Sequence, residues 1–289
     1  MDHPIGLPVL DIPALLRQYH LHPDKRLGQN FLVDESALMN IIRAADLQAS
    51  DSVLEIGAGL GNLTRYLAAS TKQVVAVEVD QRLLPVLRQV VAPFQNVKVV
   101  AGDILSLDPG KLMDASQLPY AAYRVVANIP YYITSAVIRH LLEATLKPSS
   151  LVLTVQQEVA ERICAQPGDL SLLALSVQVY GQPRINLRIP AEAFYPPPKV
   201  DSAVVSVKIF PQPVIPRDSL GSFFRLAKAG FSQKRKTLRN ALSAGLGWPT
   251  NQVETLLEQC GIASIRRAET LSLEEWAYLT FFMEKNHAV

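Results

Sequence analysis

The chain has 289 residues, of which 49% are hydrophobic and 19% charged, with a formal net charge of +2. This length predicts about two domains, and the composition excludes a disordered chain or a fibrous repeat. The sequence holds no run of about 18 uncharged apolar residues, which excludes a membrane-spanning helix. Its two cysteines, Cys164 and Cys260, lie outside any C-x-x-C pair, which excludes a disulfide scaffold and a cysteine-rich zinc site.

Residues 1–24 are predicted to form an amino-terminal extension with one short helix. Asp11 is a suitable N-cap for this helix, and Pro13 falls in its first turn. The extension lacks a basic start followed by an apolar run, so we expect no secretory signal and a cytoplasmic protein.

From residue 34 onward, the hydrophobic pattern alternates between the helical and the strand period. Helices are predicted at residues 36–47, 82–91 and 134–142, and strands at 52–56, 74–79, 97–100, 124–127 and 151–155. Such alternation predicts a parallel, doubly wound α/β sheet. Three further strands, at 176–180, 185–189 and 203–209, follow without an intervening helix, so we expect a mixed sheet with an antiparallel edge.

A proline-rich segment at residues 211–216 marks a predicted domain boundary. Its three prolines remove backbone donors and fix φ, which excludes a central strand or a helix. The sequence beyond it has helical character. We therefore expect a first domain over residues 25–210 and a small helical domain over residues 217–289.

Positive charge is concentrated in residues 217–240, which carry seven basic residues and one acidic residue. If residues 223–240 form one helix, five of the basic residues share an arc of about 100°. Such a stripe is typical of contacts with nucleic-acid phosphates, and a solvated charged face is the alternative. The predicted RNA-binding residues are Arg225, Lys228, Lys234, Arg235, Lys236 and Arg239.

Residues 53–61 read VLEIGAGLG, an apolar strand that runs into glycines at alternate positions before a predicted helix near Asn62. Such a turn lets a ligand approach the backbone at a helix N-terminus. A dinucleotide fingerprint requires a third glycine at position 62, where this chain has Asn62. With Glu55, the pattern E-x-G-x-G-x-G instead resembles the S-adenosylmethionine loop of Rossmann-like methyltransferases, and a simple tight turn is the alternative.

Two carboxylates follow the next strands of the predicted sheet. Glu78 lies 21 residues after Gly57, at a distance that is typical of a ligand for ribose hydroxyls. Asp103 follows the third strand and can accept a hydrogen bond from an adenine amino group. Each is an ordinary strand-end acid when taken alone, but together with the glycine loop they predict one nucleoside-binding crevice.

The fourth strand ends in NIPYY at residues 128–132. The amino group of adenine is a poor nucleophile because its lone pair is delocalised into the ring. The Asn128 side-chain oxygen and the Ile129 carbonyl can hold its two N–H groups, while Pro130 fixes the backbone and Tyr131 offers a stacking face. Asparagine is not a general base, so catalysis would come from orientation and electrostatics. An ordinary Asn-x-Pro turn is the alternative.

Four segments together resemble the ribosomal RNA adenine N6,N6-dimethyltransferase family: KRLGQNFL at 25–32, the glycine loop at 55–61, NIPYYITS at 128–135 and FYPPPKVDS at 194–202. The resemblance is collinear from about residue 15 to the end of the chain. The bacterial small-subunit branch is favoured by PYYITS at 130–135, QEVAER at 157–162 and RAETLS at 267–272.

The resemblance implies a Rossmann-like class I methyltransferase sheet, with S-adenosylmethionine as methyl donor and no metal. It implies that Phe194 stacks on the target adenine and that the donor is contacted by Gln29, Asn30, Leu32, Gly57, Gly59, Glu78, Asp103 and Asn128. The implied substrate is a pair of adjacent adenines in a 3′-terminal hairpin loop of small-subunit ribosomal RNA, within an immature particle. We expect a monomer. The alternatives are a large-subunit adenine methyltransferase, a non-catalytic assembly or transcription factor on the same fold, and a nicotinamide dehydrogenase.

Overall fold

The structure is a computed structural model that describes residues 7–113 and 123–287. These residues form two compact units. The first comprises the chain up to Ala160 together with Arg184–Ile209, and the second comprises Glu161–Pro183 and the chain from Phe210 onward. Residues 161–183 thus belong to the second unit, although the sequence pattern alone assigns them to the first domain.

The described residues contain nine strands, and their helices up to residue 163 are numbered α1 to α7. The strands are β1 (Phe31–Leu32), β2 (Ser52–Ile56), β3 (Gln73–Glu78), β4 (Val97–Ala101), β5 (Tyr123–Asn128), β6 (Ser150–Gln156), β7 (Gly181–Ile189), β8 (Phe194–Tyr195) and β9 (Ser202–Ile209). The helices are α1 (Ile12–Gln18), α2 (Glu35–Ala45), α3 (Asn62–Ser70), α4 (Leu84–Val91), α5 (Pro109–Leu112), α6 (Thr134–Glu143) and α7 (Gln157–Ile163).

Seven of the strands form one sheet in the order β4-β3-β2-β5-β6-β9-β7. Neighbouring strands in the series β4-β3-β2-β5-β6 pair in parallel, and β9 pairs with β6 in the antiparallel sense. This arrangement confirms the predicted parallel sheet with an antiparallel edge. Ile56 is level with Val77 and with Ala127, so the residues that follow β2, β3 and β5 meet at one edge. The chain order reverses beside β2, where open α/β sheets bind their ligands.

A second, two-stranded sheet joins distant parts of the sequence. Strands β1 and β8 pair in the antiparallel sense, with Phe31 opposite Tyr195 and Leu32 opposite Phe194. This pairing fixes the segment 25–32 to the segment 194–202, two of the four segments that carry the family resemblance.

Helix α1 confirms the predicted amino-terminal helix. The Asp11 carboxylate accepts a hydrogen bond from the Ala14 amide at 2.8 Å, as expected of an N-cap. Ile12 and Leu16 are fully buried and form one apolar cluster with Phe31, Leu60, Leu83 and Val86. Burial of each such side chain stabilises the fold by about 1.5–3 kcal/mol. The described part of the extension is therefore packed into the core of the first unit, through Ile12 and Leu16.

The predicted strand at residues 176–180 is wrong, because the chain is helical there. Helix α8 (Leu172–Gln178) is N-capped by Ser171, whose hydroxyl accepts from the Ala174 amide at 3.2 Å. The helix buries Ala174, Leu175 and Val177 on one face. Capping and helical burial here override the β-branched residues that suggested a strand.

The second unit is helical, as predicted, and its remaining helices are α9 (Leu220–Phe231), α10 (Leu238–Leu246), α11 (Thr250–Gln259) and α12 (Leu273–His287). A single helix over residues 223–240 is wrong, since residues 232–237 form a turn between α9 and α10. The Ser232 hydroxyl donates to the Ala229 carbonyl at 2.7 Å, a contact that competes with helix continuation. Gly230 lies against the Trp276 ring, and a Cβ atom there would come within 2.6 Å of it.

Within the described ranges, no helix is both long and apolar enough to cross a bilayer.

Candidate active site

A pocket in the first unit lies at the edge where β2, β3 and β5 end. Its lining includes most of the predicted cofactor and catalytic residues, namely Gln29, Asn30, Gly57, Gly59, Glu78, Asn128, Ile129, Pro130 and Tyr131. Leu27, Gly28, Phe31, Val79 and Leu83 complete the lining and were not predicted. A pocket is therefore present where the glycine loop and the strand ends predict a crevice, but Asp103, the third expected strand-end group, does not line it.

The glycine loop forms one side of this pocket with its backbone. Gly57 and Gly59 have φ values of +75° and +59°, in the left-handed region that favours glycine. A Cβ atom on Gly57 would lie 3.3 Å from the Asn128 carbonyl oxygen, and one on Gly59 would lie 3.1 Å from the Phe31 ring. The absence of side chains leaves a cradle in which a ligand can approach the backbone.

Glu78 is buried at the end of β3, beside the glycine loop. One carboxylate oxygen accepts from the Gly59 amide at 2.7 Å and the other from the Asp80 amide at 2.8 Å. Burial raises the pKa of the Glu78 carboxyl, and the amides of Asp80 and Gly59 oppose that shift. Each oxygen keeps a further lone pair, so the carboxylate can still accept from two ribose hydroxyls.

Glu55 is the most deeply buried acid at this edge and does not belong to the described pocket lining. Burial raises the pKa of its carboxyl to about 8, the nearby Glu78 charge adds to that shift, and the Thr64 hydroxyl opposes it. The acid of the E-x-G-x-G-x-G pattern is thus neutral at pH 7, which suits it to an apolar interior rather than to a charged contact.

Asn128 ends β5 with its side chain held by the opposite wall of the pocket. Its side-chain nitrogen, Nδ2, donates to the backbone carbonyl of Asn30 at 3.1 Å, and Nδ2 of Asn30 donates to the backbone carbonyl of Gly28 at 3.2 Å. This orientation leaves the Asn128 side-chain oxygen to accept from a ligand. The Ile129 amide donates to the Thr154 carbonyl at 3.3 Å, which fixes the peptide between Asn128 and Ile129, and the Ile129 carbonyl, the second predicted acceptor, belongs to the next peptide.

Tyr131 follows Pro130 in a short 3-10 turn, Tyr131–Ile133, and lines the same pocket. Its hydroxyl lies 2.7 Å from the Ser202 hydroxyl at the start of β9. Burial raises the pKa of the Tyr131 phenol, so it stays neutral at physiological pH. The ring is anchored at one end and is rigid enough to serve as a stacking surface.

Three predicted ligand contacts lie outside the described lining of this pocket. Leu32 is buried, and its carbonyl accepts from the Asn62 side chain at 2.9 Å. Asp103 is exposed and caps a turn by accepting from the Leu105 amide at 3.0 Å. Phe194 is only 2% exposed and belongs to the apolar core. Their contacts with cofactor or substrate stay predictions.

The predicted basic stripe is divided between three parts of the second unit. Arg225 and Lys228 are exposed on α9, whereas Lys234, Arg235 and Lys236 are exposed in the turn before α10. Arg239 lies on α10 and forms an ion pair with Glu254 at 3.1 Å. The stripe as one helical face is wrong, and the structure has an exposed basic turn in its place.

The pocket residues fit an adenosine-containing methyl donor. The cradle at Gly57 and Gly59 lets a ligand approach the protein backbone, and the Glu78 carboxylate suits two ribose hydroxyls. In the part of the chain that the structure describes, no group of three or more His, Cys, Asp or Glu side chains could hold a metal ion.

The fold and the site together define a class I, Rossmann-like methyltransferase. Among solved structures, the chain is similar to a dimethyladenosine transferase from Plasmodium falciparum (TM-score 0.73, 27% identity, covering 88% of this chain and 98% of that one). It is also similar to the 23S rRNA methyltransferase ErmE (TM-score 0.69, 28% identity, covering 88% and 100%). The family model for ribosomal RNA adenine dimethylase matches residues 22–285. The chain belongs to this family.

Curated relatives extend over nearly the whole chain. The ribosomal RNA small subunit methyltransferase A of Dehalococcoides mccartyi is 44% identical over 293 residues, which cover 99% of either chain. The protein of the same name from Alkaliphilus metalliredigens is 40% identical over 270 residues, covering 92% of this chain and 94% of the relative. These matches confirm the resemblance inferred from the four segments.

Proposed function

We propose that this protein transfers methyl groups from S-adenosylmethionine to N6 of two adjacent adenines in a 3′-terminal hairpin loop of small-subunit ribosomal RNA, two to each base. One observation carries the proposal: the Asn128 side chain and the Ile129 peptide line the same pocket as Gly57 and Glu78. The small-subunit substrate is supported by full-length relatives at 44% identity, against 28% for the large-subunit enzyme.

In this proposal the glycine loop and Glu78 hold the donor. Gly57 and Gly59 admit it against the backbone, and the buried Glu78 carboxylate accepts from the ribose. Gln29 and Asn30 cover it from the opposite wall. When bound, S-adenosylmethionine supplies an electrophilic methyl group on a sulfonium. Leu32 and Asp103 complete the proposed set at its periphery.

Asn128 and Ile129 prepare the amino group of the target base. In the first transfer, two acceptors that each hold one N–H draw the nitrogen lone pair out of conjugation and direct it at the donor. In the second transfer, the monomethylated nitrogen has one N–H left, which one of the two acceptors holds. Asn128 cannot take up a proton, so the N6 proton that leaves after methyl transfer goes to water. The hydrogen bond from Asn128 to Asn30 fixes the amide before the base arrives, and this preorganisation supplies the catalytic effect.

Tyr131 is the proposed stacking surface for the extracted adenine. It lines the pocket directly after the acceptor pair, and stacking of this kind is worth about 1–3 kcal/mol per base. Phe194 is proposed as a second aromatic contact, which requires that its buried ring become exposed when RNA binds.

The second unit is proposed to bind ribosomal RNA through Lys234, Arg235 and Lys236, with Arg225 and Lys228 as further phosphate contacts. Arg239 is proposed at the margin of this surface because Glu254 already compensates its charge. We further propose that the protein acts as a monomer in the cytoplasm, on an immature small-subunit particle, without a metal.

The substrate assignment is tested by offering labelled S-adenosylmethionine with immature small subunits, with large subunits or with duplex DNA. After digestion, we expect N6,N6-dimethyladenosine from the small subunits alone. Label in the large subunits would favour the large-subunit alternative, and no label in any sample would favour a non-catalytic assembly factor.

The catalytic assignment is tested with Asn128→Ala. We expect methyl transfer to be lost while donor affinity falls only modestly, because Glu78 and the glycine loop remain. The matched control is Asn186→Ala on β7, three strands away from β5, where the lost contact is a hydrogen bond from the Ser206 amide. Retained dimethylation by Asn128→Ala would refute the role.

A further inference from the structure

Asp80 lies two residues beyond Glu78 and is 6% exposed. One of its carboxylate oxygens accepts from the Arg82 amide at 3.0 Å and from the Arg82 Nε at 2.9 Å. The other accepts from Arg82 Nη2 at 2.6 Å and from Gln29 Nε2 at 2.8 Å. This carboxylate is fully engaged, and all of its partners are side chains or amides beside the pocket.

Gln29 connects Asp80 to the opposite wall of the pocket. Its side-chain oxygen accepts from the Asp24 amide at 2.7 Å, while its side-chain nitrogen donates to Asp80. The Gln29 amide also donates to the Asp24 carbonyl, at 3.3 Å. Gln29 therefore closes the turn at residues 24–29 on itself and fastens it to the end of β3.

The ribose-binding acid is held by the same residue. The Asp80 amide donates to Glu78 Oε1 at 2.8 Å, so the backbone of Asp80 orients one side of the pocket and its side chain orients the other. Arg82 neutralises the buried carboxylate and lies 3.6 Å from Asp24. Asp80 itself is not part of the described pocket lining.

We propose that Asp80 is a positioning residue that sets the distance between Glu78 and the wall formed by Gln29 and Asn30. This inference rests on the proposed donor site. Loss of the carboxylate releases the turn at residues 24–29, which weakens the closure of that wall over the donor. Asn128 is carried by β5, and its hydrogen-bond partner Asn30 directly precedes β1, which β8 holds in place. Transfer from a bound donor therefore continues when the turn at residues 24–29 is released.

The effect should therefore fall on binding rather than on turnover. For Asp80→Asn, which keeps the size of the side chain, we expect the Kd for S-adenosylmethionine and the KM for this donor to rise about tenfold or more. We expect kcat on small-subunit particles to stay within about threefold of the wild type. A residue that supports only the general fold would not separate KM from kcat in this way.

A double-mutant cycle with Gln29→Ala tests the route. If Asp80 acts through Gln29, each single variant lowers donor affinity, and the double variant is little worse than Gln29→Ala alone, which also loses the donor contact of Gln29 itself. The matched control is Asp51→Asn. Asp51 directly precedes β2, at the end of the strands away from the pocket, and its carboxylate pairs with the Arg124 guanidinium at 2.8 Å. Its Kd for the donor should be unchanged.

Unchanged Kd in Asp80→Asn, equal loss in the Asp51 control, or additive effects in the cycle would overturn the inference. If Asp80→Asn does not fold, Asp80→Glu takes its place, because it keeps the charge beside Arg82 but displaces the carboxylate from Gln29. An unchanged Kd in that variant is equally decisive. Failure of the wild-type protein to bind S-adenosylmethionine would instead overturn the proposed function, and this inference with it.

Discussion

The buried acid Glu55 makes a sharp prediction about how stability depends on pH. Burial raises the pKa of its carboxyl from 4.5 to about 8 in the folded protein. In the unfolded chain, the same group is solvated and ionises near its ordinary value. Between these two values the unfolded state has lost a proton that the folded state retains, so folding stability falls as pH rises through this window.

The magnitude follows from the width of the window. Each pH unit within it removes at most about 1.4 kcal/mol, so the whole difference amounts to about 5 kcal/mol. Glu55→Gln removes the titration but keeps the shape of the neutral acid, and its amide can donate to the Thr64 hydroxyl. The stability of this variant relative to the wild type should increase steadily with pH and level off above pH 8.

Urea denaturation followed by circular dichroism at half-unit steps from pH 5.5 to 8.5 measures this difference. Between pH 5.5 and 7.5 we expect the variant to gain about 2–3 kcal/mol on the wild type. Titrating groups that do not interact with Glu55 behave alike in both proteins and cancel in the comparison. Two stability curves that run parallel within about 0.5 kcal/mol would refute a neutral, buried Glu55.

Three further outcomes are expected from other parts of the molecule. Replacing Lys234, Arg235 and Lys236 together by Ala should weaken binding to small-subunit particles. The slope of log affinity against log salt concentration should become shallower by up to about 0.9 for each lost phosphate contact, and an unchanged slope would show that the basic turn is not part of the interface. Gly59→Ala should cost about 1–2 kcal/mol in backbone strain and raise the donor KM about tenfold, so a normal KM would contradict the cradle. Leu16→Ala should lower the free energy of unfolding by about 2–5 kcal/mol in urea titrations, whereas a loss under 1 kcal/mol would show that the extension is not packed.

The central sheet and most of the site could be predicted because both depend on local patterns. Runs of buried β-branched residues specify the parallel strands, and the carboxyl ends of such strands lie at one edge by geometry. Gly57, Glu78 and Asn128 each follow a different strand, so their meeting in one pocket required only the strand order.

The misplaced elements depend on contacts that a local pattern does not contain. Residues 176–180 read SVQVY, with the alternation of a strand, but the cap at Ser171 and burial of one helical face decide otherwise. The turn after Phe231 follows from a serine hydroxyl that bonds back to Ala229.

Phe194 and Asp80 depend on long-range pairing. Phe194 is buried and pairs with Leu32, 162 positions earlier, in the β1–β8 sheet. Asp80 gave a usable signal, because its spacing of two from Glu78 at the end of a strand sets both carboxylates on one side. Its contact with Gln29 spans 51 positions and could not be inferred from that spacing.

The second unit is assembled from two stretches of sequence, which are separated by Arg184–Ile209 of the first unit. The Phe210 amide donates to the Tyr180 carbonyl and the Val214 amide to the Val179 carbonyl, at 2.9 Å each, so the earlier stretch supplies bonding partners for the later one. A protein fragment that begins at the proline-rich segment would contain the later helices of this unit but lack the Val179 and Tyr180 carbonyls. During synthesis, the stretch ending at Pro183 leaves the exit tunnel first, so the carbonyls of Val179 and Tyr180 have no partner until residues 210–214 have emerged.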